Sequence, residues 1–451
     1  MSSDKPIPSH PRMVLQRSSP LGGGDQSVDS RKKNSGMTGE NTWDVAVVGA
    51  GAAGLMAALI AARGGSRVLL LDSKEKIGAK ILMSGGTRCN ITNAVITEKD
   101  FESSQKRILA AVLKAFSSEQ ALQFFKELGV EAVLEPGGKY FPSTHSGRTV
   151  LEALLRGVRQ AGVELVPSKK VTRITFERDL FRLEGASFAY GAKKVILTTG
   201  GLSYPQTGSD GTGYAIAQSF GHSVIPTSPA LTPLLTDDGD FKKLSGVSLP
   251  VRLNLYLEGT KKTGHDGAFL FTHTGFSGPV ALDISRHWIR HQAQGKVEIF
   301  SNFLPDFREE EFREKILEET SKQPSRLVKT FLGDFLPRAF SETFLEKMEI
   351  SESLVLNQWN RALREKCIRG LFHFPLRVTG ATGYSKAEVT AGGVDLREIH
   401  KHTMESRLQP GLFFAGEILD ADGRIGGFNF QWAWASGFLA GRAVSGQPGK
   451  A

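Results

Sequence analysis

Cysteine is almost missing from this chain of 451 residues: Cys89 and Cys367 are the only two. That excludes a disulfide framework and points to a reducing compartment, the cytoplasm. No Cys-x-x-Cys pair occurs, so Cys89 reads as a small residue of a glycine-rich loop rather than half of a dithiol. No uninterrupted apolar run is long enough to cross a bilayer, and no membrane span is expected. The histidines show no metal-ligand spacing, so no metal is expected. The formal charge of +9 is spread along the chain rather than gathered in a stripe with interleaved aromatics. A small-molecule substrate is therefore expected and a specific nucleic-acid partner is not. The sequence carries no signal for an oligomeric state.

Residues 1–42 are rich in Ser, Gly, Pro and charge and poor in large apolar side chains, which predicts disorder. The missing apolar centre excludes a secretory signal. Arg and Ser leave an organellar transit peptide open, although Asp4, Asp25, Asp29 and Glu40 count against it. Met13 and Met37 leave a later start open.

What is abundant is glycine, and its placement carries chemistry. The apolar run 45–48 reads as a buried strand that enters Gly49-Ala50-Gly51-Ala52-Ala53-Gly54. Gly49 permits the tight turn, Gly51 lets backbone approach a pyrophosphate, and Gly54 permits close helix packing. The Ala/Leu-rich stretch 52–62 predicts a helix whose N-terminus faces the phosphates, with Gly64-Gly65 as its stop. A second strand over 67–71 ends at Asp72, placed to accept from ribose hydroxyls, with Ser73 and Lys74 beside it. The loop that follows is dense in small residues: Lys80, Gly85, Gly86, Arg88, Cys89 and Asn90 are cofactor candidates, with Lys80 and Arg88 as sources of positive charge.

The matching half lies near the C-terminus. An apolar strand over 412–415 leads to Gly416-Glu417, with Asp420 close behind, then Gly426-Gly427-Phe428-Asn429 opening a helix through Gln431, Trp432 and Trp434. Glu417 or Asp420 can accept from ribityl hydroxyls, and the helix N-terminus can face the electron-rich edge of a flavin. A returning strand ending in Gly-Glu points to FAD, and hence to redox chemistry.

Between these halves, Val251, Leu253, Leu255 and Leu257 alternate with polar residues, as in a strand with one buried face. Further strands are expected over 268–271, 297–300 and 376–378. Residues 306–370 switch to helical spacing, such as Phe312 with Ile316. Val195 to Thr199 reads as a buried strand before Gly200-Gly201, after a short antiparallel excursion turning near Arg178-Asp179. His273, between glycine-rich turns, is the leading candidate acid or base; His145 and Tyr204 come after it.

Ser84 to Asn93, Tyr204 to Tyr214, Thr272 to Pro279 and Thr390 to Asp395 together resemble the BaiN-like or YhiN-like flavoproteins, also described as aminoacetone-oxidase-family FAD enzymes. The resemblance implies an α/β fold: a glutathione-reductase-type FAD-binding Rossmann domain interrupted by a β-rich, barrel-like domain that carries a small helical insertion. The corresponding boundaries are 43–200 and 390–451 for the FAD domain, 201–304 with 371–389 for the β-rich domain, and 305–370 for the insertion. It also implies that Gly200-Gly201 approach the cofactor, that backbone near Val171 reaches the adenine, and that the protein is an NAD(P)/FAD-dependent oxidoreductase. One branch of that family is associated with reducing conjugated double bonds in steroid-like intermediates. Where the family pattern has Gly before Arg-Cys-Asn, this chain has Thr87, a residue that disfavours a positive φ. Three activities follow as readings: an NAD(P)H-using flavin reductase of a small or steroid-like substrate, a peroxide-producing oxidase of amine or aminoketone type, and a flavin-bearing nucleic-acid-modifying or binding protein. No second complete nicotinamide fingerprint is present; Gly208 to Gly213 follows Tyr204-Pro205 rather than an apolar strand.

Overall fold

The computed structural model describes residues 42–446; residues 1–41, with Met13 and Met37, and 447–451 lie outside it. Thr42–Val48 is the centre of a parallel sheet because its side chains are apolar on both faces: Val45, Ala46 and Val47 are fully buried. It pairs with Val68–Leu71 on one side and Phe188–Leu197 on the other. Glu164–Val166 extends the sheet beyond Val68–Leu71. On the opposite side the C-terminal strand Leu412–Phe414 pairs in parallel with Val195, Ile196 and Leu197. Segments from both ends of the chain thus complete one sheet. The excursion Arg173–Glu177 and Leu180–Gly185 turns through Arg178 and Asp179, both at positive φ, which matches the right-handed twist of a two-residue hairpin.

Helices Ala52–Arg63 and Phe428–Val444 lie against each other, and their sequences explain the closeness. A Cβ at Gly437 would stand 2.6 Å from the Ala53 carbonyl oxygen, and one at Gly441 2.5 Å from that of Ala57. Only glycine permits that approach.

The middle of the chain forms a second, seven-stranded antiparallel sheet. Its order is Phe374–Leu376, Val297–Asn302, Ser248–Leu257, Thr260–Thr272, Gly275–Ser277, Leu234–Leu235 and Gly380–Ala381. The alternation in Ser248–Leu257 buries Val251, Leu253 and Leu255 as the sequence predicts. The two edge strands are neighbours in sequence, separated by residues 377–379, so the sheet curls like a barrel without closing by hydrogen bonds. Helices Glu309–Lys322, Val328–Leu332, Arg338–Lys347 and Arg361–Phe372 follow Val297–Asn302, and Phe312, Ile316, Phe340 and Phe344 join them to the sheet's core. Val224–Ala230 and Val389–Val394 pair antiparallel where the chain crosses back to the first sheet.

No described helix is long and apolar enough to cross a membrane. Among the described residues no cluster of His, Cys, Asp and Glu could hold a metal.

Candidate cofactor site

A cavity of about 570 Å³ opens at the C-terminal ends of four parallel strands, lined by Gly49, Asp72, Thr198 and Ala415. Open α/β sheets bind ligands there, and the volume suits a cofactor. Gly49 sits at φ 105°, where a Cβ would fall 2.5 Å from the Thr198 carbonyl oxygen. A Cβ at Gly51 would meet nothing within 4 Å, so that position opens onto the cavity with Ala52 and Ala53. Gly54 and Ala50 do not line it. A Cβ at Gly54 would strike the Gly49 carbonyl oxygen at 1.8 Å, and Ala50 donates its N–H to Asp72 Oδ2 at 2.7 Å. Lys74 N–H donates to the other Asp72 oxygen at 2.7 Å. Burial pushes the Asp72 carboxyl up, and these two hydrogen bonds oppose it. Ser73, Val171 and Gly200 line the same end. Lys74 lies behind the lining, as does Gly201, where a Cβ would press on Thr390 Oγ1 at 2.4 Å.

The loop over 78–90 lies along the cavity through Lys80, Gly85, Gly86, Arg88 and Asn90. Gly85, Gly86, Thr87 and Cys89 all have positive φ. Thr87 therefore adopts, at φ 71°, the conformation that its β-branched side chain disfavours. Its carbonyl accepts from Gly147 N–H at 2.8 Å, which fixes the turn from outside. Lys80 and Arg88, the expected sources of positive charge, are each ion-paired. Lys80 Nζ donates to Glu417 Oε2 at 2.6 Å and to Ser203 Oγ at 2.7 Å. Arg88 forks onto Glu135 at 2.9 and 3.1 Å and stacks over Phe141. Cys89 is fully buried behind the loop and burial pushes its thiol up to about 12, so it is an unreactive packing residue.

The C-terminal half supplies Gly416, Glu417, Gly426, Gly427 and Asn429. Glu417 is saturated: besides Lys80, its Oε1 accepts from Ser203 Oγ and from Thr390 N–H at 3.0 Å. Asp420 is buried away from the cavity and accepts from Ser104 N–H and Oγ at 3.4 and 3.3 Å, so it holds the loop rather than the lining. Gly426 is fixed by Asn93 Nδ2, which donates to its carbonyl at 3.0 Å. Gly427 caps the helix Phe428–Val444, whose first N–H groups have no intrahelical acceptor. Phe428 is buried edge-on against Phe101. The Asn429 side chain folds back on Gly423, accepting from its N–H at 2.7 Å and donating to its carbonyl at 3.0 Å. Two lining groups, Asn90 Oδ1 and Thr199 Oγ1, are buried without a hydrogen-bond partner among the described residues. Unsatisfied polar atoms in the lining, beside a glycine turn that opens a helix, fit a polar dinucleotide such as FAD.

The middle of the chain also lines the cavity, through Tyr204, Leu231, Glu388 and Val389, and Ile425 packs with Leu231 and Val389; Lys139 and Phe141 line it as well. Tyr204 is there as the sequence suggests, held at φ 49°; burial, then Glu388, pushes its phenol up. Glu388 was not legible as a site residue. It stands two positions before Thr390, where the recognisable string begins. His273 and His145 do not reach the cavity. His273 is exposed at the tip between Thr260–Thr272 and Gly275–Ser277, and the half-exposed His145 lies 3.4 Å from Glu135. A different histidine shows a hydrolase-like pattern: His222 bonds Glu398 at 2.9 Å and Ser406 Oγ at 2.7 Å. Ser406 Oγ also accepts from Leu408 and Gln409 N–H and is buried away from the cavity. It is a loop staple, not a nucleophile.

The family described as HI0933-like protein Rossmann domain matches residues 43–443. A 3-dehydro-bile acid delta(4,6)-reductase from Clostridium scindens is 33% identical over 407 residues, covering 90% of this chain and 99% of that protein. A ribosomal RNA dihydrouridine synthase from Haemophilus influenzae is 34% identical over 409 residues, covering 89% and 98%. The protein of the same description from Escherichia coli is 33% identical over 397 residues, covering 87% and 96%. The match runs through both halves of the cofactor cradle, and the chain is an FAD-dependent oxidoreductase belonging to the HI0933-like Rossmann-domain family.

Proposed function

We propose that this protein reduces a carbon–carbon double bond conjugated to a carbonyl, taking its electrons from a reduced nicotinamide nucleotide. The observation that carries the reading is the cavity lining, where Leu231, Val389 and Ile425 pack together as apolar surface for a flat ring and Tyr204 and Glu388 give a few polar groups. Bound FAD supplies hydride chemistry. The chain's own residues hold the ring against it, exclude water, and supply a proton.

The relatives' activities support the reading because they share this chemistry. A delta(4,6)-reductase of a 3-oxo compound saturates ring bonds conjugated to a ketone, and dihydrouridine is uridine with its ring alkene, conjugated to a carbonyl, saturated. The nicotinamide nucleotide needs no fold of its own if it binds transiently against the same ring. A second reading, in which the ring is a uracil base within ribosomal RNA, draws support from the names of two relatives. The test is anaerobic stopped-flow mixing of holoenzyme with NADH or NADPH, then with a dienone steroid acid or a ribosomal RNA fragment. Bleaching followed by return of the yellow colour with one of them supports reduction and identifies the class. Return of colour only with oxygen, yielding peroxide, would instead establish an oxidase.

A further inference from the structure

Four carboxylates line the cavity: Asp72, Asp210, Glu388 and Glu417. Three are engaged. Asp72 accepts from Ala50 and Lys74 N–H, Asp210 from Lys170 Nζ and from Thr212 N–H and Oγ1, and Glu417 from Lys80, Ser203 and Thr390. Glu388 alone among them has no hydrogen-bond partner among the described residues. Its backbone is nonetheless fixed: its N–H donates to the Leu231 carbonyl at 3.2 Å, at the start of Val389–Val394. A carboxyl on a fixed backbone, facing the cavity with no protein partner among the described residues, is free to meet a ligand there.

We propose that Glu388 is the catalytic acid of this site, giving its proton to the substrate carbon next to the carbonyl. The proposal rests on the reductase reading. In balance, hydride adds to the carbon distal to the carbonyl, the alkene's electron pair moves toward the carbonyl as an enolate, and the Glu388 O–H bond breaks as the new carbon–hydrogen bond forms. The carboxylate then recovers a proton from water reaching the cavity. A reduced nicotinamide nucleotide supplies the hydride's two electrons.

The groups facing Glu388 decide whether it holds a proton when needed. Asp283, on helix Pro279–His291, and Tyr204, in the turn before Pro205–Thr207, come from two packed elements; Lys139, on Lys139–Pro142, comes from a third. The side chain is solvent-exposed where it faces the cavity, with protein atoms crowding around the carboxyl. Desolvation there, and then Asp283, raises its pKa, while Lys139 opposes. A ring seated in the cavity would displace the remaining water and strengthen the shift. Raising a carboxyl's pKa keeps more of it protonated at a given pH and so favours its use as an acid.

The test uses full-length holoenzyme and the variant E388Q, which keeps size and hydrogen-bonding ability but has no acidic proton. Because Glu388 holds no other residue, E388Q should fold and retain FAD at wild-type stoichiometry. Substrate-dependent reoxidation of reduced enzyme should slow by roughly a hundredfold or more, and the alkaline limb of its pH profile should vanish. Independently of turnover, infrared difference spectra of the oxidised holoenzyme titrated with acid and base should show a protonated-carboxyl band in wild type that persists above the usual carboxylate range and is missing from E388Q. Wild-type reoxidation rate and pH profile in E388Q, or identical infrared titrations, would overturn the assignment. Failure of wild-type enzyme itself to reoxidise with any conjugated carbonyl compound would instead overturn the reductase reading.

Discussion

Lys80 and Glu417, 337 positions apart in sequence, meet at 2.6 Å on the cavity wall, and Ser203 and Thr390 complete the same carboxylate's hydrogen bonds. One side chain therefore ties the first glycine half, the crossing strand and the C-terminal half together. Replacing Lys80 with Met removes a charge-assisted donor worth roughly 1.5–3 kcal/mol. FAD affinity should fall by roughly tenfold to a hundredfold, read by titrating apoprotein with FAD, while Lys80→Arg should recover part of it.

Two glycines of the same turn should behave differently. Gly51→Val places its side chain in open cavity, so the variant should fold and be colourless. Gly54→Val would drive a Cβ into the Gly49 carbonyl oxygen and should lose stability as well as colour. Circular dichroism melting beside FAD stoichiometry separates them; equal melting of the two apoproteins would contradict the packing account.

Thr87 holds a positive φ that costs a β-branched residue roughly 1–2 kcal/mol. Glycine there should relieve the strain, less its greater entropy in the unfolded chain. A net gain of roughly 0.5–1 kcal/mol is expected in urea unfolding of Thr87→Gly.

How much of this was readable beforehand divides along a physical line. The residues 49–54 turn, Asp72 and the Arg178-Asp179 hairpin were legible because their geometry is local and set by backbone conformation. The pairing of Lys80 and Arg88 was not, because Glu417 and Glu135 reach them only in the folded chain. Glu388 carries no local signal at all: its bareness is a property of a cavity assembled from distant segments. His273 looked chemical because it sits among glycines, but those glycines make a hairpin tip in solvent. His273→Asn should therefore leave substrate-dependent reoxidation within about twofold of wild type; a hundredfold loss, the scale of lost acid–base catalysis, would restore its catalytic role.

His265 and His287 stack with ring centroids 5.6 Å apart. Burial, then Arg286, holds His265 down at about 4 and His287 at about 3. In the unfolded chain both return to about 6.5. The unfolded state then binds more protons across that window, so stability is full above about pH 6.5 and is lost as pH falls toward the folded values. Melting temperature should drop from pH 6.5 to 4, and His287→Gln should flatten the drop. An unchanged slope in the variant would remove the pair from the acid response.

The central claim, reduction of a conjugated double bond at this cavity, is tested most directly by an anaerobic single turnover in deuterated water. Enzyme reduced with one equivalent of nicotinamide nucleotide is mixed with excess conjugated carbonyl substrate, and the product is weighed by mass spectrometry. The account predicts one saturated product per FAD, with one solvent deuteron on the carbon next to the carbonyl. Unchanged substrate, with the electrons released only as peroxide when air is admitted, would contradict it.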